Sequence, residues 1–265
     1  MGGLTVLHEC LVTLPHEDFV YLGDGARLPY GPRPLEEIRR FAGEIASYLE
    51  AHGVKLIVAA CNSATAAALP DLQRQLSVPV IGVLAPEAHA AVLATRNRRI
   101  GLLATEATVA SGRYPELVAA LDAGAEVVAV ACPRLVPLIE GDDVFGEELA
   151  EAVRDYAAPL KEADVDTVIL GCTHYPLIKP ILQRVLGAAS PSSSLPRRRR
   201  ARRLRLSPAR RSRTTTRARA RTAFSRPATR SSSARWGVAS SSFRSMRRST
   251  SRSQPCRRSH EARRA

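Results

Sequence analysis

The sequence predicts an α/β protein in which two similar parallel-sheet domains face each other across a cleft, followed by a disordered basic tail. Short β-branched runs alternate with helical stretches from Asp18 to Gly187, two segments of similar sequence each end a strand at a cysteine, and the composition changes abruptly after Gly187. The predicted boundaries are 1–84 for the first domain, 85–187 for the second and 188–265 for an Arg/Ser-rich low-complexity tail.

Six strands are predicted from short apolar and β-branched runs, which are typical of parallel strands buried on both faces. They lie at 19–22, 56–60, 80–83, 100–104, 127–131 and 167–170. Helices are predicted at 34–51, 64–76, 87–94, 111–121 and 147–161. The clearest is 34–51, because its apolar residues recur at helical spacing and Gly53 follows as a stop signal.

The charge of the chain is divided unevenly between the two predicted domains and the tail. The whole chain has 39 Lys and Arg, 25 Asp and Glu and a formal net charge of +14. Residues 188–265 hold 24 of the arginines, no lysine and one acidic residue, Glu261, so residues 1–187 have 15 basic and 24 acidic residues. The net positive charge therefore does not identify the globular part as a nucleic-acid-binding protein.

Other classes of protein are excluded by simple patterns. No apolar run approaches the roughly 20 residues that a membrane span needs, and no basic stretch followed by an apolar one opens the chain. The five cysteines are odd in number, widely scattered and contain no Cys-x-x-Cys pair, which argues against a disulfide framework or a structural zinc site. We expect a cytoplasmic protein with no membrane partner.

Two of the cysteines lie at the end of a predicted buried strand: Cys61 follows its strand directly, and Cys172 follows its strand after one glycine. The carboxyl ends of strands are where open α/β sheets bind ligands, so one cysteine is expected on each side of the cleft. The polar residues at the following turns could bind a substrate carboxylate through side chains and backbone N–H groups. These residues are Asn62 and Ser63 after the first cysteine, and Thr173 and His174 after the second.

A single cysteine at a strand end is most often a small buried hydrophobe, but a facing pair has a chemical use. A thiol with an ordinary pKa of about 8.5 needs only a modest shift of that pKa to exchange protons near neutral pH. One thiol of the pair can remove a proton from one face of a carbon while the other returns a proton to the opposite face. The pair therefore predicts stereochemical inversion without a cofactor.

Cofactor-dependent alternatives fit the residue inventory less well. A pyridoxal-phosphate enzyme needs a lysine for its Schiff base, and none of Lys55, Lys161 and Lys179 follows a predicted strand end. Thiol redox chemistry and a metal site remain alternatives, although the metal site lacks the usual close ligand pairs. Its ligands would be Cys61, Cys132, Cys172 and His174.

The motifs together resemble the glutamate racemase family, cofactor-independent members of the aspartate/glutamate racemase superfamily. The resemblance covers residues 2–187 in family order. The phrases that carry it are Gly-Gly-Leu-Thr-Val at 2–6, Tyr-Leu-Gly-Asp at 21–24, Pro-Tyr-Gly-Pro at 29–32, Ala-Cys-Asn-Ser-Ala-Thr at 60–65, Pro-Val-Ile-Gly-Val at 79–83, Ala-Cys-Pro at 131–133, Val-Pro-Leu-Ile-Glu at 136–140 and Leu-Gly-Cys-Thr-His-Tyr-Pro at 170–176.

The resemblance implies that Cys61 and Cys172 are the catalytic acid/base residues, with His174 and Glu140 assisting and with no cofactor or metal. The substrate-binding residues that it implies are Tyr30, Gly31, Asn62, Ser63, Thr173 and His174. Structural alternatives remain: His174 capping a turn, Glu140 as a solvated acid and Tyr30 as a packing residue. Cys132 is interpreted as structural.

The resemblance also implies the substrate and the setting. Glutamate is favoured over aspartate by resemblance alone, and an aspartate racemase is an alternative. D-glutamate would supply peptidoglycan synthesis, and with it cell-wall biogenesis and cell shape, in a bacterium. A homodimer is left open.

The chain departs from the family at both ends and within one helix. The family opens with a strand leading to Asp-Ser-Gly-Val-Gly-Gly, whereas this chain starts Met1-Gly2-Gly3, and we expect in-frame codons upstream to encode the missing strand. Nothing in 188–265 is expected to complete the first domain, and a frameshift near codon 188 is the favoured explanation. Glu87 and His89 lie in a segment that usually reads Pro-Gly-Ala-Arg-Ala.

These departures leave two further alternatives open. The first is a nucleic-acid-binding protein that acts through the tail, if the tail is genuine, because its arginines could contact phosphates. The second is an inactive racemase remnant. We expect the chain as written to fold poorly and to racemise slowly, because a missing central strand removes both ladder hydrogen bonds and core side chains.

Overall fold

The computed structural model describes residues 2–144 and 146–187 in full and the backbone of 190–192 and 235–240. These residues form an α/β protein with two four-stranded sheets. The strands are β1 (Asp18–Gly23), β2 (Val54–Ala59), β3 (Val80–Gly82), β4 (Arg99–Ala104), β5 (Glu126–Ala131), β6 (Thr167–Gly171), β7 (Ser190–Ser192) and β8 (Arg235–Ser240). The helices are α1 (Gly2–Thr13), α2 (Leu35–Ala51), α3 (Asn62–Gln75), α4 (Leu84–Ala94), α5 (Glu106–Ala110), α6 (Arg113–Leu121), α7 (Leu135–Glu140), α8 (Glu147–Glu162) and α9 (Lys179–Leu186), with a 3-10 turn at Tyr175–Ile178.

The predicted fold class and all six predicted strands are confirmed. The strand orders are β1-β8-β2-β3 and β5-β4-β6-β7, and every pairing between described strands is parallel. Strands β1 to β3 lie in one sheet and β4 to β6 in the other. The boundary at residue 84 itself stays a prediction.

The predicted helix at 111–121 is wrong at its start. Gly112 has a positive φ of 67°, a left-handed conformation that glycine adopts readily, and it separates α5 from α6. The shorter α5 begins at a cap in which the side chain of Thr105 accepts a hydrogen bond from the backbone N–H of Thr108. The polar Thr105-Glu106 pair therefore starts a helix at the end of β4.

Other helix boundaries also differ from the predictions. Helix α3 starts at Asn62 and α4 at Leu84, in each case earlier than predicted. Helices α1, α7 and α9 were not predicted, because two are short and α1 begins with Gly2-Gly3, residues of low intrinsic helix propensity. Both glycines are buried, so tertiary contacts stabilise the start of α1.

The expectation that nothing after residue 187 completes the first domain is wrong for Arg235–Ser240. This strand, β8, lies in the middle of the first sheet, in parallel register with β1 on one side and β2 on the other. Without it, the facing edges of β1 and β2 would leave backbone N–H and C=O groups unpaired. The run Trp-Gly-Val-Ala in the Arg/Ser-rich sequence was too short to show a strand pattern. The rest of the predicted disordered tail lies outside the described residues, apart from β7, which pairs with β6.

The core divides between the two sheets. In the first sheet, Ile45 and Leu49 of α2 belong to one buried cluster with Ile57 of β2. In the second, residues of α8 such as Val153 share a larger cluster with Val168 of β6. Helices thus cover the faces of both parallel sheets and bury their apolar side chains. Within the described residues, no helix is long and apolar enough to cross a bilayer.

Candidate active site

A cavity of about 220 Å³ lies where the carboxyl ends of strands from both sheets meet. The turns that follow β2, β4, β5 and β6 all contribute to its lining. Parallel strands present their carboxyl ends at one edge, which explains why residues distant in sequence converge here. The cavity gathers every predicted site residue: Tyr30, Gly31, Cys61, Asn62, Ser63, Glu140, Cys172, Thr173 and His174.

Cys61 lies at the junction of β2 and α3. Its backbone is extended, its carbonyl oxygen accepts the hydrogen bond from the backbone N–H of Thr65 at 2.8 Å, and its side chain is buried. The first turn of α3, a 14-residue helix, leaves backbone N–H groups free to bind an anion. This side of the cavity can therefore hold negative charge.

Cys172 follows β6 and forms a short chain of contacts with two other residues. Its Sγ lies 3.4 Å from Nδ1 of His174, and Nε2 of His174 lies 2.9 Å from Oε1 of Glu140. A carboxylate only accepts hydrogen bonds, so Nε2 carries the proton of the neutral imidazole and Nδ1 is left as the acceptor. The thiol of Cys172 can then donate to Nδ1.

Burial and hydrogen bonding set the charge states in this chain. Burial raises the pKa of Cys172 well above its usual range, so its thiol is protonated at neutral pH. Burial also lowers the pKa of His174, although Glu140 partly offsets this. Burial alone would raise the pKa of Glu140, but the hydrogen bond from His174 and nearby positive charge together outweigh it, and the pKa is lowered. A neutral base thus lies beside a protonated thiol.

Helix α1 closes this side of the site. The backbone N–H of Gly2 also points at Nε2 of His174, at 3.3 Å, but the closer carboxylate of Glu140 keeps the imidazole proton on Nε2, so Gly2 makes only a close contact there. Thr5 donates to the carbonyl oxygen of Gly2. A Cβ on Gly2 would lie only 2.3 Å from Oγ1 of Thr173 and 2.8 Å from Nδ1 of His174. Only glycine fits at this position without moving the two site residues.

The loop before α2 forms the opposite wall. The phenol of Tyr30 donates a 2.6 Å hydrogen bond to Asp24, and Asp24 also pairs with Arg27. The carbonyl oxygen of Gly31 accepts from the backbone N–H of Ala107, which joins this loop to α5. Because Tyr30 already donates its phenol proton to Asp24, its hydroxyl can contact a ligand only as an acceptor.

Asn62 and Ser63 occupy the first turn of α3, and both side chains have internal partners. Nδ2 of Asn62 donates to Oε2 of Glu87 at 2.9 Å and to the phenol oxygen of Tyr114 at 2.8 Å. Oγ of Ser63 lies 2.8 Å from Oγ1 of Thr105. The two predicted binding residues are therefore held in position before any ligand arrives.

Several residues that line the cavity are not among the predicted site residues. Thr105 and Glu106 follow β4 as Cys61 follows β2, so the same strand-end signal could have found them. Cys132, which was interpreted as structural, also lines the cavity. Burial raises its pKa to about 12 and its Sγ donates to the carbonyl oxygen of Val130, so it differs from the other two cysteines in its contacts.

Cofactor and metal chemistry have little support in these residues. None of the three lysines of the chain lines the cavity, so no lysine is placed there to form a Schiff base. Among residues 2–144 and 146–187, no group of three or more His, Cys, Asp or Glu side chains is arranged to hold a metal ion. The site is one of thiols, an imidazole and carboxylates.

Comparison with known proteins identifies the family. The family model described as Asp/Glu/Hydantoin racemase matches residues 7–190. The chain belongs to this racemase family. It is 49% identical over 187 residues to the glutamate racemase of Lactiplantibacillus plantarum, an alignment that covers 71% of this chain and 68% of that relative.

Solved structures of this racemase family agree. A crystal structure of a glutamate racemase isoform from Bacillus anthracis matches with a TM-score of 0.70 and 40% identity, covering 73% of each chain. The glutamate racemase of Francisella tularensis, solved in complex with D-glutamate, matches with a TM-score of 0.68 and 32% identity over 73% of each chain. The two-sheet architecture of this racemase is therefore that of solved glutamate racemases.

Proposed function

We propose that this chain interconverts L- and D-glutamate by cofactor-independent proton transfer, with Cys61 and Cys172 as the two acid/base residues. The observation that supports this most directly is that both thiols line one cavity of about 220 Å³ while coming from different sheets. The glutamate racemases that it resembles, one of them solved with D-glutamate bound, give the substrate. The D-glutamate formed would serve peptidoglycan synthesis.

The proposed reaction is balanced in protons and needs no oxidant. A thiolate removes the α-proton of glutamate, so that the Cα–H bond breaks and an S–H bond forms. The thiol on the opposite face then donates its proton to the carbanion, forming the new Cα–H bond with inverted configuration. After one turnover the two cysteines have exchanged protonation states, and the reverse reaction uses them in the opposite order.

His174 and Glu140 act on the Cys172 side of the reaction. Since the thiol of Cys172 is protonated at neutral pH, a base must take its proton before it can act as a thiolate. Nδ1 of His174 lies 3.4 Å from that sulfur, and Glu140 stabilises the imidazolium that results. On the Cys61 side, the first turn of α3 offers backbone N–H groups to a substrate carboxylate.

The roles of the two cysteines are tested by replacing each one with serine. C61S and C172S should each lower racemisation, followed by circular dichroism, at least about a hundredfold, because a serine hydroxyl is a far weaker acid than a thiol. Cys10 provides a matched control, since it is half-buried in α1 and does not line the cavity. C10S should keep the activity of the unchanged chain.

Solvent isotope incorporation distinguishes this mechanism from other routes to inversion. In D₂O, each D-glutamate formed from L-glutamate should contain one solvent deuteron at Cα, delivered by a cysteine. If Cα exchange continued in the C61S/C172S double variant, other groups would be responsible and the proposal would fail.

A further inference from the structure

A buried carboxylate that the proposed mechanism does not use lies directly behind the site. Glu87 is on α4 with 5% of its surface exposed, and Tyr114 on α6 is completely buried. Neither residue lines the cavity, whereas Asn62, which contacts both, does. Glu87 is also one of the positions at which this chain departs from the family pattern.

The hydrogen bonds among these three residues fix every donor. An ionised carboxylate can only accept, so the phenol of Tyr114 donates its single proton to Oε2 of Glu87. Nδ2 of Asn62 then donates to the same Oε2 and to the phenol oxygen. Both N–H groups of the Asn62 carboxamide are consequently occupied, and a flipped amide would place its oxygen against two other acceptors.

The remaining atom of the carboxamide, Oδ1 of Asn62, is buried and has no hydrogen-bond partner among the residues that the structure describes. In a planar amide the oxygen points about 120° away from the nitrogen, so it is turned away from Glu87 and Tyr114. A buried acceptor without a donor is unfavourable, and a ligand that supplies a donor relieves that cost. The charge of Glu87 reaches the site as well, since it contributes to the raised pKa of Cys172.

We propose that Glu87 is a positioning residue which, with Tyr114, fixes the Asn62 carboxamide so that Oδ1 accepts a hydrogen bond from the α-ammonium group of the substrate. The buried negative charge behind the amide favours a cation over a neutral group at that point. The inference rests on the proposed function and adds a specificity element: a ligand with an α-ammonium group is preferred over the same diacid without one.

Two ligands and two variants test this. D-glutamate and glutarate differ only in the amino group, so their dissociation constants from titration calorimetry isolate its contribution. E87A should weaken D-glutamate binding by about 10- to 100-fold and change glutarate binding by less than about twofold. E87Q keeps an acceptor oxygen for Tyr114 and Asn62 but loses the charge, so its dissociation constant for D-glutamate should lie between those of E87A and the unchanged chain.

A matched control and a second readout keep the outcomes distinct. E162A removes an exposed carboxylate at the end of α8 and should leave both dissociation constants unchanged. The ¹⁵N side-chain signal of Asn62 is assigned by its loss in N62D. It should shift in E87A, because that variant removes the acceptor of the Asn62 amide, and it should not shift in E162A.

Several results would overturn the inference. Equal weakening of both ligands by E87A would mean that Glu87 only supports the fold, and an unchanged Asn62 signal would mean that Glu87 does not orient the amide. If the unchanged chain bound neither ligand, the proposed function and the ammonium contact would both fail. The Asn62 signal would still decide whether Glu87 positions the carboxamide.

Discussion

Replacing Glu140 with glutamine tests the chain of contacts from Cys172 through His174. The substitution keeps the size of the side chain and removes its charge, so the imidazolium formed when His174 takes the thiol proton loses its counterion. With charges about 4 Å apart and an effective dielectric constant of about 20, the attraction is about 4 kcal/mol. Glu140 is 33% exposed, and solvent screening reduces this to about 2 kcal/mol.

A loss of about 2 kcal/mol corresponds to a decrease of roughly 30-fold in kcat/KM. The assay is racemisation followed by circular dichroism between pH 5 and 9, with thermal unfolding measured on the same samples. E126Q, which neutralises an exposed carboxylate on β5, serves as the control and should change neither quantity.

The pH dependence of E140Q gives an independent check. Burial already lowers the pKa of His174, so the imidazole is a neutral base at pH 7 and activity declines only as the pH falls through that lowered value. Glu140 raises the pKa of His174, so removing the carboxylate should move the acid limb of the profile to still lower pH. A kcat/KM within about threefold of the unchanged chain, with an unmoved acid limb, would refute the role given to Glu140.

Three further predictions concern the contact of Gly2 in α1 with Thr173 and His174, the third buried cysteine and the tail. G2A should lower racemisation at least about tenfold, because its Cβ collides with the Thr173 side chain and the His174 ring. The control G43A has nothing within 4 Å of its Cβ and should be neutral or stabilise α2 by about 0.5–1 kcal/mol, so equal activity of the two variants would contradict the prediction. With its pKa raised to about 12, Cys132 should resist alkylation by iodoacetamide at pH 8 in the folded chain. Mass spectrometry of the digested protein measures the labelling, and rapid labelling of Cys132 would contradict the prediction. Deleting 188–265 should lower the melting temperature more than deleting 241–265, because only the longer deletion removes β8 from between β1 and β2. Equal melting temperatures of the two truncated chains would show that β8 does not stabilise the sheet.

Part of the candidate site could be predicted because it follows from strand ends. Cys172 comes directly after β6 and Cys61 follows β2 after one intervening residue, and parallel pairing brings such positions to one edge of a sheet. Thr105 has the same local signal but lacks a reactive side chain, and so it was missed. Tyr30 and Glu140 were predicted from family resemblance alone, because a loop residue and a residue at the end of a short helix have no periodic pattern around them.

The six strands between residues 18 and 171 and their parallel α/β character could be predicted from local sequence, because short runs of buried β-branched residues are typical of parallel strands. Which polar groups are hydrogen-bond partners could not be predicted in this way. The hydrogen bonds from Asn62 to Glu87 and Tyr114, and from His174 to Glu140, join residues 25 to 52 positions apart in the chain. Such contacts depend on how the helices pack over the two sheets. The insertion of Arg235–Ser240 between β1 and β2 also depends on the tertiary structure, because a strand pairs with any neighbouring strand whose backbone N–H and C=O groups are unpaired, wherever that strand lies in the sequence.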